Sequence, residues 1–151
     1  MDEYYEYSPH PKRGVRQASV LAWMRLARVF QKISAISARQ FRAFDLSQAQ
    51  FDVLAQIGAA EGLTQQELAH KLLVTKGNIS QLLARMEQHD LIERVQDGRC
   101  NGLHLTAAGR ELAHTVVPQH EALISSLLAP LSEAEQRELL RLLRKLDRGL
   151  A

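Results

Sequence analysis

Of the 151 residues, one is cysteine, Cys100. A lone thiol excludes an intrachain disulfide framework and suits a reducing compartment, so a cytoplasmic protein is expected. No apolar run approaches the ~20 residues that a membrane helix needs, and no membrane partner is expected. The opening residues, Met1-Asp2-Glu3-Tyr4-Tyr5, have neither the basic start nor the apolar stretch of a secretory signal. The histidines, His10, His70, His89, His104, His114 and His120, form no i, i+4 pair and have no Cys-x-x-Cys beside them, so no metal site is expected. The chain has no phosphate loop, no Gly-x-Ser-x-Gly and no carboxylate pair set for acid–base work. Neither an enzyme nor a cofactor is expected. Internal repeats and low-complexity stretches are also missing. Acidic residues are absent from one long segment: none lies between Tyr7 and Phe44, against Lys12, Arg13, Arg16, Arg25, Arg28, Lys32, Arg39 and Arg42. That segment reads as a solvated basic helix face, as a phosphate-contacting arm around Lys12 to Arg16, or as an anion site beside the first helix.

What is present is concentrated in residues 64–106. Thr64-Gln65-Gln66-Glu67 has the Thr-x-x-Glu spacing of a capping box, which predicts a helix from Gln65 with Leu68, Ala69 and Leu72 inward. The chain then turns through Leu73-Val74. Thr75 can cap a second helix over about 76–88, whose Ile79, Leu82, Leu83 and Met86 follow a 3.6-residue period. Next comes a strand over 91–96, and Leu103-His104-Leu105 alternates as a return strand. Asp97-Gly98 and Asn101-Gly102 are both turn dipeptides. Two short helices followed at once by a β-hairpin predict a winged helix-turn-helix, with a wing over about 91–106.

The outward face of the second helix carries Gly77, Gln81, Ala84 and Gln88, flanked by Ser80 and Arg85, with Lys76 and Asn78 in the first turn. Such a face can belong to any amphipathic helix of an all-α domain. Small and hydrogen-bonding side chains also suit the major groove, where Gln pairs with adenine, Arg with guanine, and Ser with a base edge or a phosphate. Double-stranded DNA is therefore the expected partner. The net charge is only +2. Between Thr64 and Arg110 bases and acids nearly balance, so binding must depend on where the charges point.

The remaining chain predicts long helices. A first helix over about 18–44 has an apolar stripe too wide for one packing partner. Ser47-Gln48-Ala49-Gln50 is a capping box for a second, with Phe51, Leu54 and Ile57 inward and Gly58 and Gly62 near its end. Thr106 caps a helix running through Leu127, which Pro118 should kink and Pro130 should stop. Ser132-Glu133-Ala134-Glu135 opens a last helix rich in leucine, including Leu139, Leu143 and Leu146. This surface packs as a helical hairpin on its own domain or, in the favoured reading, interlocks with a second copy. The expected fold is mainly α with a small β-hairpin wing: an N-terminal arm (1–17), a helical dimerisation region (18–46 and 107–151), and a winged helix-turn-helix DNA-binding lobe (47–106). A homodimer would present two recognition helices roughly 34 Å apart, matching a pseudo-palindromic site.

Four segments carry a resemblance to a known family: Ile79-Ser80-Gln81-Leu82-Leu83-Ala84-Arg85-Met86-Glu87, Leu91-Ile92-Glu93-Arg94, Asp97-Gly98-Arg99, and Leu105-Thr106-Ala107-Ala108-Gly109. In this order and spacing the chain resembles the MarR family of winged-helix transcription factors over nearly its whole length. The resemblance implies a transcription regulator. It implies that Arg99 reaches the minor groove or a phosphate and that Asp97 orients it. With the recognition-helix face, the expected DNA-contacting set is Lys76, Asn78, Ser80, Gln81, Arg85, Arg94, Asp97 and Arg99.

Two departures from the family pattern stand out. The segment between Arg94 and Asp97 is a few residues shorter, so the wing should reach less far. Asp90 stands where Gly is usual after the recognition helix; Asp tolerates the left-handed conformation, so the helix end should be kept. The resemblance also implies a small-molecule effector, an aromatic acid or similar amphipathic compound, that releases DNA. Trp23, Phe30 and Phe51 could line its pocket, with Arg25 or Arg28 meeting a carboxylate. Two other readings stay open: a winged-helix protein-interaction module without DNA binding, and a redox-responsive regulator using Cys100 beside Arg99.

Overall fold

The computed structural model describes residues 17–72 and 76–151. Its elements are α1 (Ala18–Arg42), α2 (Gln48–Ala59), α3 (Gln65–Leu72), α4 (Lys76–Gln88), β1 (Ile92–Asp97), β2 (Cys100–Leu105), α5 (Ala107–Leu128) and α6 (Glu133–Leu150). The fold is mainly helical with one antiparallel hairpin, as the sequence predicts. By its contacts the chain divides into two units, Met1–Ser34 and Ala35–Ala151. The boundary falls inside α1.

Both predicted capping boxes form, and the structure adds a third at Ser132. Ser47 and Gln50 exchange bonds of 3.1 and 2.9 Å at the start of α2. Thr64 and Glu67 do so at 3.2 and 2.8 Å before α3, and Ser132 and Glu135 at 3.2 and 2.7 Å before α6. Each pair satisfies two backbone N–H groups that a helix start leaves orphaned. Two helices end on aspartate in the left-handed region. Asp90 has φ +56° and closes α4 with Asp90 N–H donating to the Glu87 carbonyl and Leu91 N–H to the Met86 carbonyl, both at 3.0 Å. This is the paired bond pattern of a Schellman motif, so Asp90 does what glycine commonly does there. Asp45, at φ +55°, closes α1 in the same way, with Leu46 N–H donating to Phe41. The first helix accordingly stops at Arg42, two residues short of the predicted Phe44. Pro118 lies inside α5, which runs on to Leu128.

The hairpin differs from expectation in one respect. Asn101-Gly102 is not a turn; β2 already begins at Cys100, and Gln96 pairs with Asn101 and Val95 with Gly102. Gly98 and Arg99 alone make the turn. Gly98 takes φ +62° while Arg99 does not enter positive φ, the pattern of a type II′ hairpin. Gly102 serves another purpose. A Cβ there would stand 3.1 Å from both Cα and the carbonyl oxygen of Gly62. The close approach lets Leu103 N–H donate to Leu63 O at 2.7 Å and Gly62 N–H to Leu103 O at 2.9 Å. The α2–α3 connection thus adds a short bridge to the hairpin's inner edge.

The core of the larger unit gathers Phe41, Phe51, Leu54, Ile57, Leu68, Ile79, Leu83, Met86, Leu103 and Val116, all buried. Burying each such side chain is worth roughly 1.5–3 kcal/mol. The predicted inward face of α4 is the buried one, with Leu82 packed at its margin. No residue of α6 is buried. Leu139, Leu140, Leu142, Leu143, Leu146 and Leu150 are 36–78% exposed. In the N-terminal unit, Val20, Leu21, Trp23, Val29 and Phe30 are likewise exposed.

Candidate nucleic-acid interface

The core fixes the roll of α4. With Ile79, Leu83 and Met86 inward, Asn78, Ser80, Gln81, Ala84, Arg85 and Gln88 are exposed. The side chain of Lys76 lies outside the described residues, as do Thr75 and the basic Lys12, Arg13 and Arg16. The helix therefore offers hydroxyl, amide and guanidinium groups on a surface kept shallow by Ala84. In the hairpin, the tight turn sets Arg99 at the tip, exposed beside Gly98, where a Cβ would meet nothing within 4 Å. Asp97 is exposed too. Among the described residues no ion pair joins it to Arg99.

Arg94 behaves differently from the other expected contacts. Its Nε donates to Glu87 Oε1 at 2.8 Å, and its Nη1 donates to Gln65 Oε1 at 2.9 Å. Gln65 Nε2 in turn donates to Ser80 Oγ at 2.6 Å. The wing strand, the first residue of α3 and the recognition helix are thereby linked by polar bonds across the exposed edge of the unit. Sequence reasoning missed Gln65, because the links span 15 and 29 positions and no local pattern marks them.

A second cluster was also missed. Glu61 accepts from Arg110 Nη2 at 2.7 Å, and its other oxygen lies 3.1 Å from His104 Nδ1. Arg110 first, and then His104, hold the Glu61 carboxyl below its usual range by hydrogen bonding to the charged form. The pair ties the α2–α3 connection to β2 and to the first turn of α5. That first turn is fastened to the end of α4 as well. Thr106 accepts from Gly109 N–H at 3.0 Å, its hydroxyl donates to the Asp90 carbonyl, and its N–H donates to Leu91 O at 3.2 Å.

Two short helices followed by a hairpin wing, in this order, match known proteins. The model for the MarR family matches residues 44–99. An HTH-type transcriptional regulator of Bacillus cereus is 39% identical over 129 residues, covering 85% of this chain and 88% of that protein. The chain belongs to the MarR family. It is a transcription regulator and not an enzyme. Staphylococcus aureus MepR, solved bound to DNA, superposes with a TM-score of 0.76 at 25% identity, over 89% of this chain and 97% of that one. Bordetella bronchiseptica BpsR, whose DNA binding is regulated by 6-hydroxynicotinic acid, does so with a TM-score of 0.75 at 25% identity, over 89% and 99%.

The residues expected around an effector fall in both units of this MarR protein. Trp23, Arg25 and Phe30 are exposed in the N-terminal unit, and Arg28 is half-buried there. Phe51 belongs to the core of the larger unit. Its ring stacks on Phe41 at 4.3 Å, with the His120 ring 4.6 Å away. Burial among these rings pushes the His120 pKa down, against the pull of Asp52 and Glu121. Burial likewise pushes the Asp52 carboxyl up. A cavity of about 430 Å³ opens between α2 and α5, walled by Leu54, Ala55, Leu105, Ala113 and Val117, with Glu61, Arg110 and His114 also on its lining. None of the five expected residues lines it. Cys100 is exposed at the start of β2.

Proposed function

We propose that this MarR regulator is a homodimeric repressor that reads a pseudo-palindromic operator and leaves it when a small amphipathic effector binds. The observation that carries the reading is the exposed face of α4, where Ser80, Gln81, Ala84 and Arg85 stand clear of a core that fixes the helix on its other side. A two-fold dimer doubles the phosphate contacts, which a chain of net charge +2 needs. The bare leucine face of α6 supports such a dimer. A dimer seated on an operator blocks access to that duplex, which is the simplest route to repression in the cytoplasm. The effector part of the reading draws on BpsR and on the apolar walls of the cavity between α2 and α5, where Arg110 could meet an anionic group.

A gel-shift assay with the DNA upstream of its own gene, run at several salt concentrations, tests the reading. Arg85→Ala should weaken specific binding by roughly 1–3 kcal/mol and relax preference at one position per half-site if Arg85 reads a base. Binding that ignores sequence at every salt concentration would refute it.

A further inference from the structure

We infer that Gln65 is a positioning residue for DNA readout, and that the bonds running from Glu87 through Arg94 and Gln65 make the Ser80 hydroxyl a hydrogen-bond donor toward DNA. The inference rests on the reading that α4 enters the major groove.

Chemistry fixes the direction of every bond in the relay. A guanidinium has donors only. Arg94 Nε donates to Glu87 and Nη1 to Gln65 Oε1. The oxygen of the Gln65 amide must therefore face Arg94, and its NH₂ must face Ser80. At 2.6 Å from that nitrogen, Ser80 Oγ is the acceptor. Its own proton then points off the relay. Ser80 is exposed, next to Gln81 and one helical turn before Ala84 and Arg85. The acceptors it would meet in a major groove are purine N7, guanine O6, thymine O4 or a phosphate oxygen; the cytosine amino group is a donor and a poorer match.

The relay is assembled from three elements: Gln65 on α3, Ser80 and Glu87 on α4, and Arg94 on β1. Arg94 thus acts through Gln65 and Ser80. A residue 15 positions from Ser80 sets which way its hydroxyl is aimed.

Gln65→Glu tests this with almost no change of shape. A carboxylate keeps the bond to Arg94 but can only accept from Ser80, so it turns the Ser80 proton inward. An acidic residue in the first turn of α3 also suits the helix dipole, so the variant should fold. The added negative charge repels DNA regardless of Ser80, and Ser80→Ala separates the two effects. The full chain first selects its preferred duplex from a random-sequence pool. Affinities for that duplex are then measured for the parent, both single variants and the double variant.

Gln65→Glu should weaken binding about ten-fold with Ser80 present and no more than about two-fold in the Ser80→Ala background, a coupling typical of contacting residues. Loss of preference at one base pair per half-site places the acceptor on a base, and an even loss across sequences places it on a phosphate. An equal loss in both backgrounds overturns the inference and leaves α4 as the reading helix. A parent that selects no sequence overturns the reading of α4 and the inference with it.

Discussion

Gly109 and Leu91 leave no room for a side chain between them: a Cβ on Gly109 would stand 1.9 Å from the Leu91 carbonyl oxygen. The obstacle is backbone at a fixed corner, since Leu91 follows the left-handed Asp90 that closes α4 and its carbonyl accepts from Thr106. The Leu-Thr-x-x-Gly segment is therefore a joint between the recognition helix and α5. Gly109→Ala should destabilise the protein by about 3 kcal/mol, the upper end of what overpacking usually costs, because neither backbone can yield alone. Urea unfolding followed by circular dichroism measures this. A change below about 1 kcal/mol would show that the joint adapts.

Stability should fall with acid over a window set by His120. Its folded pKa is depressed by burial, below the ordinary 6.5 of the unfolded chain. Above 6.5 neither state holds the proton, and stability is flat. Below 6.5 the unfolded chain binds a proton that the folded one refuses, so stability drops until pH reaches the lower folded value. His120→Phe keeps a ring packed against the stacked Phe41 and Phe51 and should shrink the loss between pH 6.5 and 5.5. Urea midpoints at pH 7.5, 6.5 and 5.5 check it; identical slopes in both proteins would count against it.

Arg99→Ala should separate binding from folding. The residue occupies a two-residue turn and is exposed, so its removal should change stability by less than about 0.5 kcal/mol. DNA affinity should fall roughly five- to ten-fold, most on A·T-rich flanks, whose narrow minor groove attracts cations. If affinity matches the parent at low and moderate salt, the short wing does not reach the duplex.

Leu143→Glu should break the dimer. Leu143 lies in the bare stripe of α6, and Glu is a good helix former, so α6 should keep its helicity. Sedimentation of the parent should show a dimer at micromolar concentration, and the variant should dissociate at least about ten-fold more readily. A parent that sediments as a folded monomer would exclude dimerisation through α6.

Local signals were legible in the sequence and long-range ones were not. Each capping box needs only four consecutive residues, and the two read from the sequence form, with a third at the predicted start of α6. The α4 period placed its core face correctly. Asp90 could be read as a helix end because the left-handed preference of aspartate is its own property. Asn101-Gly102 misled, because Asn-Gly is a turn signal unless another strand needs the space of the missing side chain, and here Gly62 does. The Glu61 and Gln65 bonds reach across 15 to 49 positions and join separate elements, so no local pattern marks them. Phe51 was read both as core and as a pocket wall; its inward spacing agrees with its burial.

The relay divides the recognition helix into two classes of position. Gln81, Ala84, Arg85 and Gln88 project from α4 on the side away from Ile79, Leu83 and Met86. Ser80 is held by Gln65. If α4 reads the operator as proposed, the first four are the positions to exchange for a new operator, with little consequence for the folded state, since all are exposed. Changing Ser80 alone leaves the Gln65 amide without its acceptor, and that amide belongs to another element. A library built on the helix alone would therefore sample four of these letters freely and detach the fifth from its partner.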